Sequence, residues 1–187
     1  MIKNPLKKTL ITAGVCAIIF LSNIDKAYAK EAEFYSISYD VTSSNHSTKK
    51  SFEPYTVFGR NTNQYKLQEI AVTDEHGFRM INGNYIVAVG SKFGMRIGQY
   101  FDLVLEDGTI IHCIMGDQKD DSDTDSNNVY TPNGCMSEFI VDIDELDTMV
   151  AKMGDCSYLN DNWSSRVVEV VVYSWNILDG QFVGYWD

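Results

Sequence analysis

Apolar and polar residues alternate along much of the chain after residue 30, as they do in half-buried β-strands. Every second residue is apolar across residues 35–41, which predicts a first strand within residues 31–41. A valine-rich run at residues 166–175 predicts a strand that is apolar on nearly both faces. Residues 134–142 form another strand-like run, and this run ends in Asp142.

Two tight-turn sequences separate neighbouring strand-like runs. Asn82-Gly83 and Glu106-Asp107-Gly108 supply the residues that tolerate the backbone dihedrals of a hairpin turn. The hairpin strands that they predict are residues 78–80 with 85–89, and residues 100–105 with 109–115.

The helical signal is confined to two short stretches. Residues 144–153 carry apolar side chains at helical spacing, between Asp144 as a capping residue and Gly154 as a stop. Residues 65–71 predict one or two further helical turns. Six or more short strands with so little helix predict a mostly β fold, a small closed six-stranded β-barrel with one or two short helices.

The first 29 residues have the pattern of a secretory signal peptide. Lysines precede an apolar run at residues 10–21, and the small-x-small sequence Ala27-Tyr28-Ala29 follows it. The predicted organisation is a signal peptide at residues 1–29, an N-terminal strand and Ser/Thr-rich linker at residues 30–54, and a barrel domain at residues 55–187. The expected location is therefore extracellular.

The charge of the chain excludes some partners. Its formal net charge is −11 at pH 7, and removal of a lysine-rich leader makes the remainder still more acidic. Nucleic acid demands a basic face, so it is not an expected partner. No stretch after the leader is long and apolar enough to span a bilayer, so stable membrane insertion of the mature chain is not expected either.

Three cysteines follow the predicted leader, and an exported protein can oxidise a pair of them. Cys113 and Cys135 both lie in strand-like runs and are the preferred pair, with Cys156 left over. The connectivity stays open at this point, because sequence does not fix it. No spacing of these cysteines is typical of a zinc site, and no metal or other cofactor is predicted.

The tract at residues 117–128 is acidic and polar. Asp121, Asp123, Asp125 and Asn127 alternate as the ligands of a calcium loop do, but Ser126 replaces the glycine of such a loop and Pro132 its closing glutamate. A solvated acidic loop is therefore favoured over a calcium site.

Two aspartates, Asp117 and Asp142, stand at the ends of strand-like runs. The residues around them resemble the three-aspartate domain, a double-psi β-barrel related to the catalytic barrel of membrane-bound lytic transglycosylase A and found in exported cell-wall proteins of Gram-positive bacteria. The resemblance is carried by residues 85–91, Ile97-Gly98, Gly116-Asp117 and residues 139–142. Gly90 stands where the family has its first aspartate, and Gln118-Lys119 replaces its Thr-Gly.

The resemblance implies association with the cell wall, peptidoglycan or another cell-wall glycan as the partner, and lytic transglycosylase-type cleavage as the activity. A carboxylic acid would protonate the leaving oxygen, and the resulting carboxylate would take the proton of the attacking C6 hydroxyl. Asp142 is the implied general acid/base, and Asp117 would raise its pKa or hold the substrate. The alternative is a non-catalytic secreted module that binds wall glycan or a protein partner.

Overall fold

The computed structural model describes residues 32–37 and 48–180. Residues Phe34–Asp187 form one compact unit and Met1–Glu33 another, of which only Ala32 and Glu33 are described. The strands within the described ranges are β1 Ala32–Ser36, β2 Ser51–Pro54, β3 Val72–Thr73, β4 Arg79–Ile81, β5 Asn84–Val89, β6 Gln99–Leu105, β7 Ile110–Gln118, β8 Glu138–Val141 and β9 Val167–Asn176. The α-helices are α1 Asn63–Ile70 and α2 Thr148–Met153.

All nine of these strands join one sheet. Its hydrogen-bonded order is β1-β9-β6-β7-β5-β4-β3, and β8 branches from this path by pairing with β5 and with β2. The pairs β5 with β7 and β2 with β8 are parallel. The prediction of a mostly β fold is confirmed. The closed six-stranded barrel is not confirmed, because the pairing order does not return on itself among the described strands.

Both predicted hairpins are present. The turn between β4 and β5 has Asn82 and Gly83 at φ values of 50° and 78°, which is the left-handed pair that a two-residue hairpin turn requires. The turn between β6 and β7 contains Gly108 at φ 88°. Local turn chemistry therefore fixes two strand pairs of the sheet.

The second helix begins later than the sequence predicts. Asp147, and not Asp144, caps α2, and its Oδ1 accepts hydrogen bonds from the amides of Met149 and Val150 at 2.8 and 3.2 Å. Gly154 ends the helix at φ 63°, as predicted. In the described part of the chain, no helix has the length and apolar character needed to cross a membrane.

Strand β2 lies within residues 30–54, where a strand and a linker are predicted. It pairs in parallel with β8, and Ser51 and Ser137, which are hydrogen-bonded to each other, lie 86 residues apart in the chain. A pairing between such distant segments leaves no local sequence signal. The predicted signal peptide at residues 1–29 lies outside the described residues.

The predicted disulfide between Cys113 and Cys135 is not formed, and Cys113, Cys135 and Cys156 are all free and buried. Cys113 pairs with Tyr85 at the start of β5, whereas Cys135 precedes the strand that pairs with the end of β5. About five strand residues, on the order of 15 Å, separate these positions. A disulfide needs Cα atoms within about 7 Å.

Apolar side chains pack on both faces of the sheet. One cluster is built around the aromatic rings of Phe78, Phe139 and Trp163, with Trp163 stacked on Phe139 at 5.0 Å between ring centroids. The opposite cluster is smaller and lies under α1, which contributes Leu67. Its other buried members are Ile81, Ile86, Ala88, Tyr100, Ile114, Ile140 and Ile177.

Candidate active site

A bulge in β7 sets the direction of Asp117. Val87 of β5 pairs with Met115, but the next residue, Ala88, pairs with Asp117, so Gly116 is the extra residue. Because side chains alternate along a strand, the extra residue moves Asp117 onto the face of Ala88. That face belongs to the smaller cluster under α1.

The neighbouring strands bring two glutamates to the same face. Ala88 also pairs with Glu138 of β8, so Asp117 and Glu138 flank Ala88 on opposite sides. Two strand spacings put their Cα atoms about 10 Å apart. Glu53 of β2 pairs with Ile140, two residues beyond Glu138 on the same face.

These side chains line a cavity of about 290 Å³, near the lower end of the range of ligand pockets, roughly 300–1,000 Å³. The small side chain of Ala88 forms its floor between the two acidic residues. The remaining lining residues are Gln118, Lys119, Asp120, Asp123 and Thr131. We call this cavity the carboxylate pocket.

Glu53 is the most perturbed acid of the carboxylate pocket. Its pKa is raised to about 7, chiefly by burial and in addition by the nearby charges of Asp117 and Glu138, while the charge of Lys119 opposes the shift. Glu53 therefore exchanges its proton near neutral pH, which suits a group that both donates and accepts a proton.

Asp117 is held by the first turn of α1. Gln64 Nε2 donates a hydrogen bond of 2.9 Å to its Oδ1. The other end of α1 is fixed by Arg79 of β4, which donates from Nη2 to the carbonyls of Gln68 and Ala71 at 2.8 and 3.1 Å. The helix thus connects the position of Asp117 to the β4–β5 hairpin.

Lys119 and Glu138 form an ion pair across the pocket floor. Lys119 Nζ lies 3.0 Å from Glu138 Oε1, and the lysine side chain is only 3% exposed. The contact lacks the direction of a hydrogen bond, and Nζ has no hydrogen-bond acceptor among the described residues. The pair nevertheless offsets one of the acidic charges of the pocket.

The structure does not bring Asp142 to Asp117. Asp142 follows β8, so four strand residues, about 13 Å, separate it from Glu138 at the pocket. Its Oδ1 accepts the amide of Asp144 at 3.2 Å, and its carbonyl accepts the amide of Glu145 at 3.2 Å. Asp142 thus starts the turn that leads to α2.

Gly90 has no space for a side chain. Its backbone is in an ordinary extended conformation, with φ −68° and ψ 165°. A Cβ atom built on it would lie 1.9 Å from the carbonyl oxygen of Asn128. The acidic tract therefore packs directly against the backbone of Gly90.

The carboxylates of the acidic tract hold the tract together. Asp125 Oδ1 accepts the amides of Val129 and Tyr130 at 2.8 and 3.1 Å, and Asp121 Oδ1 accepts the hydroxyl of Ser91. Among the described residues, no group of three or more His, Cys, Asp or Glu is arranged to hold a metal ion. These carboxylates therefore act as turn and capping groups of the loop.

A second polar cluster lies away from the pocket. The carboxylate of Asp102, 5% exposed, meets His112 Nδ1 at 2.7 Å and accepts the hydroxyl of Tyr173 at 2.6 Å. His112 lies five residues before Asp117 on β7, on the order of 15 Å away. The burial of Tyr173 and its bond to Asp102 raise the pKa of its hydroxyl.

Of the residues that line the carboxylate pocket, the sequence analysis proposes Asp117 as a site residue but not Glu53, Glu138 or Lys119. One available signal was alternation within β8, which puts Glu138 on the face of Ile140 and away from Phe139. Glu53 follows Phe52 in the same way. Only the parallel pairing of β2 with β8 reveals that the two glutamates share one face.

Comparison of the chain with family models, with curated proteins and with solved structures found no match.

Proposed function

We propose that the protein is an exported, cell-wall-associated enzyme that cleaves peptidoglycan glycan by lytic transglycosylase-type chemistry, with Glu53 as the general acid and base. The observation that carries this proposal is the position of Glu53, partly buried in an open pocket that it shares with Asp117 and Glu138, surroundings that raise its pKa to about 7. The acid is thus assigned to Glu53 and not to Asp142.

The reaction needs no water. Protonated Glu53 donates its proton to the glycosidic oxygen, and the bond from C1 to that oxygen breaks. Asp117, oriented by Gln64, stabilises the positive charge that develops at C1. The C6 hydroxyl oxygen of the same sugar then bonds to C1, and its proton returns to Glu53.

The test is incubation of the purified protein with purified peptidoglycan, followed by mass spectrometry of the released fragments. We expect 1,6-anhydro-muropeptides from the wild type and from Asp142→Asn. Glu53→Gln should release them at least about 100-fold more slowly, because general acid–base catalysis contributes roughly 10²–10⁴-fold. Absence of anhydro products from the wild type, or equal rates for Glu53→Gln, would contradict the proposal.

A second candidate function is non-catalytic binding of wall glycan. The resemblance assigns Gly90, Asp117 and Asp142 to the positions of the family's three aspartates. Of these three residues, only Asp117 lines the pocket, and this favours binding without cleavage. Binding without cleavage predicts retention of the protein on insoluble wall and no release of fragments. Retention that Glu53→Gln and Asp117→Asn leave unchanged, without products, would decide for this alternative.

A further inference from the structure

Arg79 of β4 is 9% exposed and donates four hydrogen bonds from its side chain. Nη2 donates to the carbonyls of Gln68 and Ala71 at 2.8 and 3.1 Å, and Nε donates to Gln68 Oε1 at 3.0 Å. Nη1 donates to the hydroxyl of Thr73, in the paired strand β3, at 2.8 Å. The last carbonyls of a helix have no partner within it, so these bonds hold the C-terminal end of α1 against β4.

The same guanidinium contacts the segment that follows β2. Its Cζ lies 4.7 Å from the centroid of the Tyr55 ring, well within the range of a cation–π contact. Tyr55 lies two residues after Glu53, and the residue between them is Pro54, whose ring restricts the backbone to a φ near −67°. The position of Tyr55 is therefore linked to that of Glu53 through a short and stiff piece of backbone.

The N-terminal end of α1 holds Asp117. Gln64 Nε2 donates a hydrogen bond of 2.9 Å to Asp117 Oδ1. The helix has eight residues, about two turns, and its Leu67 is fully buried. Because each backbone hydrogen bond of a helix spans a full turn, the two ends of so short a helix move together. The contacts of Arg79 at one end thus also fix Gln64 at the other.

We propose that Arg79 is a positioning residue of the carboxylate pocket, which sets the spacing of Glu53 and Asp117 by joining the end of β2 to α1. The inference deepens the proposed function and rests on it for the use of these two acids in catalysis. Arg79 itself touches neither the substrate nor the reacting atoms in this role.

A direct effect of the arginine charge and a positioning effect differ in sign. The charges that shift the pKa of Glu53 belong to Asp117, Glu138 and Lys119. Loss of a positive charge near a carboxyl group raises its pKa. Loss of burial and a greater distance from Asp117 lower it, because these are the two largest causes of its present elevation.

The test follows the carboxyl ¹³C shift of Glu53 against pH in the full chain. In Arg79→Met we expect its pKa to fall from about 7 to about 6 or below. Tyr55→Leu keeps the arginine and its charge but removes the contact with β2, and it should lower the pKa as well. Arg96→Met is the matched control, because it removes an exposed arginine that pairs with Asp179, and it should leave the titration unchanged.

Arg79→Lys keeps the positive charge but loses the planar fork that binds several acceptors at once, so it should also lower the pKa. Adding Tyr55→Leu to Arg79→Lys should lower it little further, since both substitutions break the same link. Circular dichroism shows whether each variant is folded, and if Arg79→Met is not, Tyr55→Leu and Arg79→Lys decide. An unchanged or raised pKa in these two variants, or additive effects of the pair, would overturn the inference.

Wall cleavage supplies the second measurement. Arg79→Lys should release anhydro-muropeptides at least about tenfold more slowly, through a lower kcat, because small displacements of reacting groups are costly. The two proposals fail separately. If the wild type releases no such fragments while the Glu53 titration moves as expected, only the catalytic proposal is overturned. If cleavage depends on Glu53 but neither its rate nor the titration responds to Arg79, only the role of Arg79 is overturned.

Discussion

Glu53 differs from its neighbours in the carboxylate pocket in what surrounds its carboxyl group. Asp117 accepts a hydrogen bond from Gln64, and Glu138 has the ammonium of Lys119. The described residues place no hydrogen-bond donor on Glu53, and it is partly buried beside two other acids. The charged form of Glu53 is therefore poorly stabilised, which raises the pKa of its carboxyl group to about 7.

Asp117→Asn should lower the pKa of Glu53, because the substitution removes the like charge that contributes most to raising it. The pKa should stay above its ordinary value of 4.5, because burial is the largest cause of the shift and persists in the variant. Lys119→Met should change it in the opposite direction. The carboxyl ¹³C shift of Glu53, followed against pH, measures these changes, and Asp142→Asn serves as the control. An unmoved titration in Asp117→Asn would refute the coupling.

At the scale of elements, the contact between Gly90 and the acidic tract determines which residue can follow the end of β5. The backbone dihedrals of Gly90 suit any residue. A glycine is required here because a Cβ atom would lie 1.9 Å from the carbonyl oxygen of Asn128, and not because of the backbone conformation. The clashing atom belongs to the backbone, which cannot rotate away as a side chain can. The close contact of the tract therefore excludes an aspartate from this position.

Gly90→Ala should destabilise the fold by about 1–3 kcal/mol, the usual cost of adding a methylene-sized group to a well-packed site. Gly59→Ala is the matched control, because its Cβ would lie 3.7 Å from the nearest atom, Thr62 Cγ2. Urea unfolding of both variants measures the difference. Equal midpoints for the two would show that the tract moves aside at no cost.

Elements that are specified by adjacent residues were predictable from the sequence. The parts of the carboxylate pocket that depend on pairing between distant strands were not. Asn82-Gly83 and Gly108 fix their hairpins through local backbone conformation. Gly116-Asp117 was correctly placed at the end of a strand, but its bulge depends on the register with β5. Glu53 was assigned to the linker region because the partner of its strand lies more than 80 residues away, and no local period reports such a pairing.

At the scale of the whole molecule, two groups with shifted pKa values lie at the short strand β2, Glu53 within the strand and Lys50 directly before it. Glu53 has its pKa raised to about 7, and Lys50, 1% exposed, has its pKa lowered to about 8 by burial, against the opposing charge of Asp155. Lys50 Nζ donates to the carbonyls of Thr48, Trp163 and Ser165 at 2.5–3.1 Å. These hydrogen bonds connect the start of β2 to the segment that precedes β9.

We expect the joint contribution of Glu53 and Lys50 to the free energy of unfolding to be smallest between pH 7 and pH 8. The folded state binds the proton of Glu53 more tightly than the unfolded state does, so its contribution is complete below pH 4.5 and is lost as pH rises through 7. The contribution of Lys50 has the opposite sense: it is complete above pH 10.5 and is lost as pH falls through 8.

The free energy of unfolding in urea, measured from pH 4.5 to pH 10.5, tests this prediction by comparing each variant with the wild type. Glu53→Gln should gain stability relative to the wild type as pH rises from 4.5 to 7, and the difference should then stay constant. Lys50→Met should lose relative stability only above pH 8, since the wild type alone recovers its lysine contribution there. A constant difference over the whole range for either variant would mean that the residue titrates alike in the folded and unfolded chains. The two expected changes fall in separate pH ranges. The two variants therefore assign the loss of stability below pH 7 to Glu53 and the gain of stability above pH 8 to Lys50.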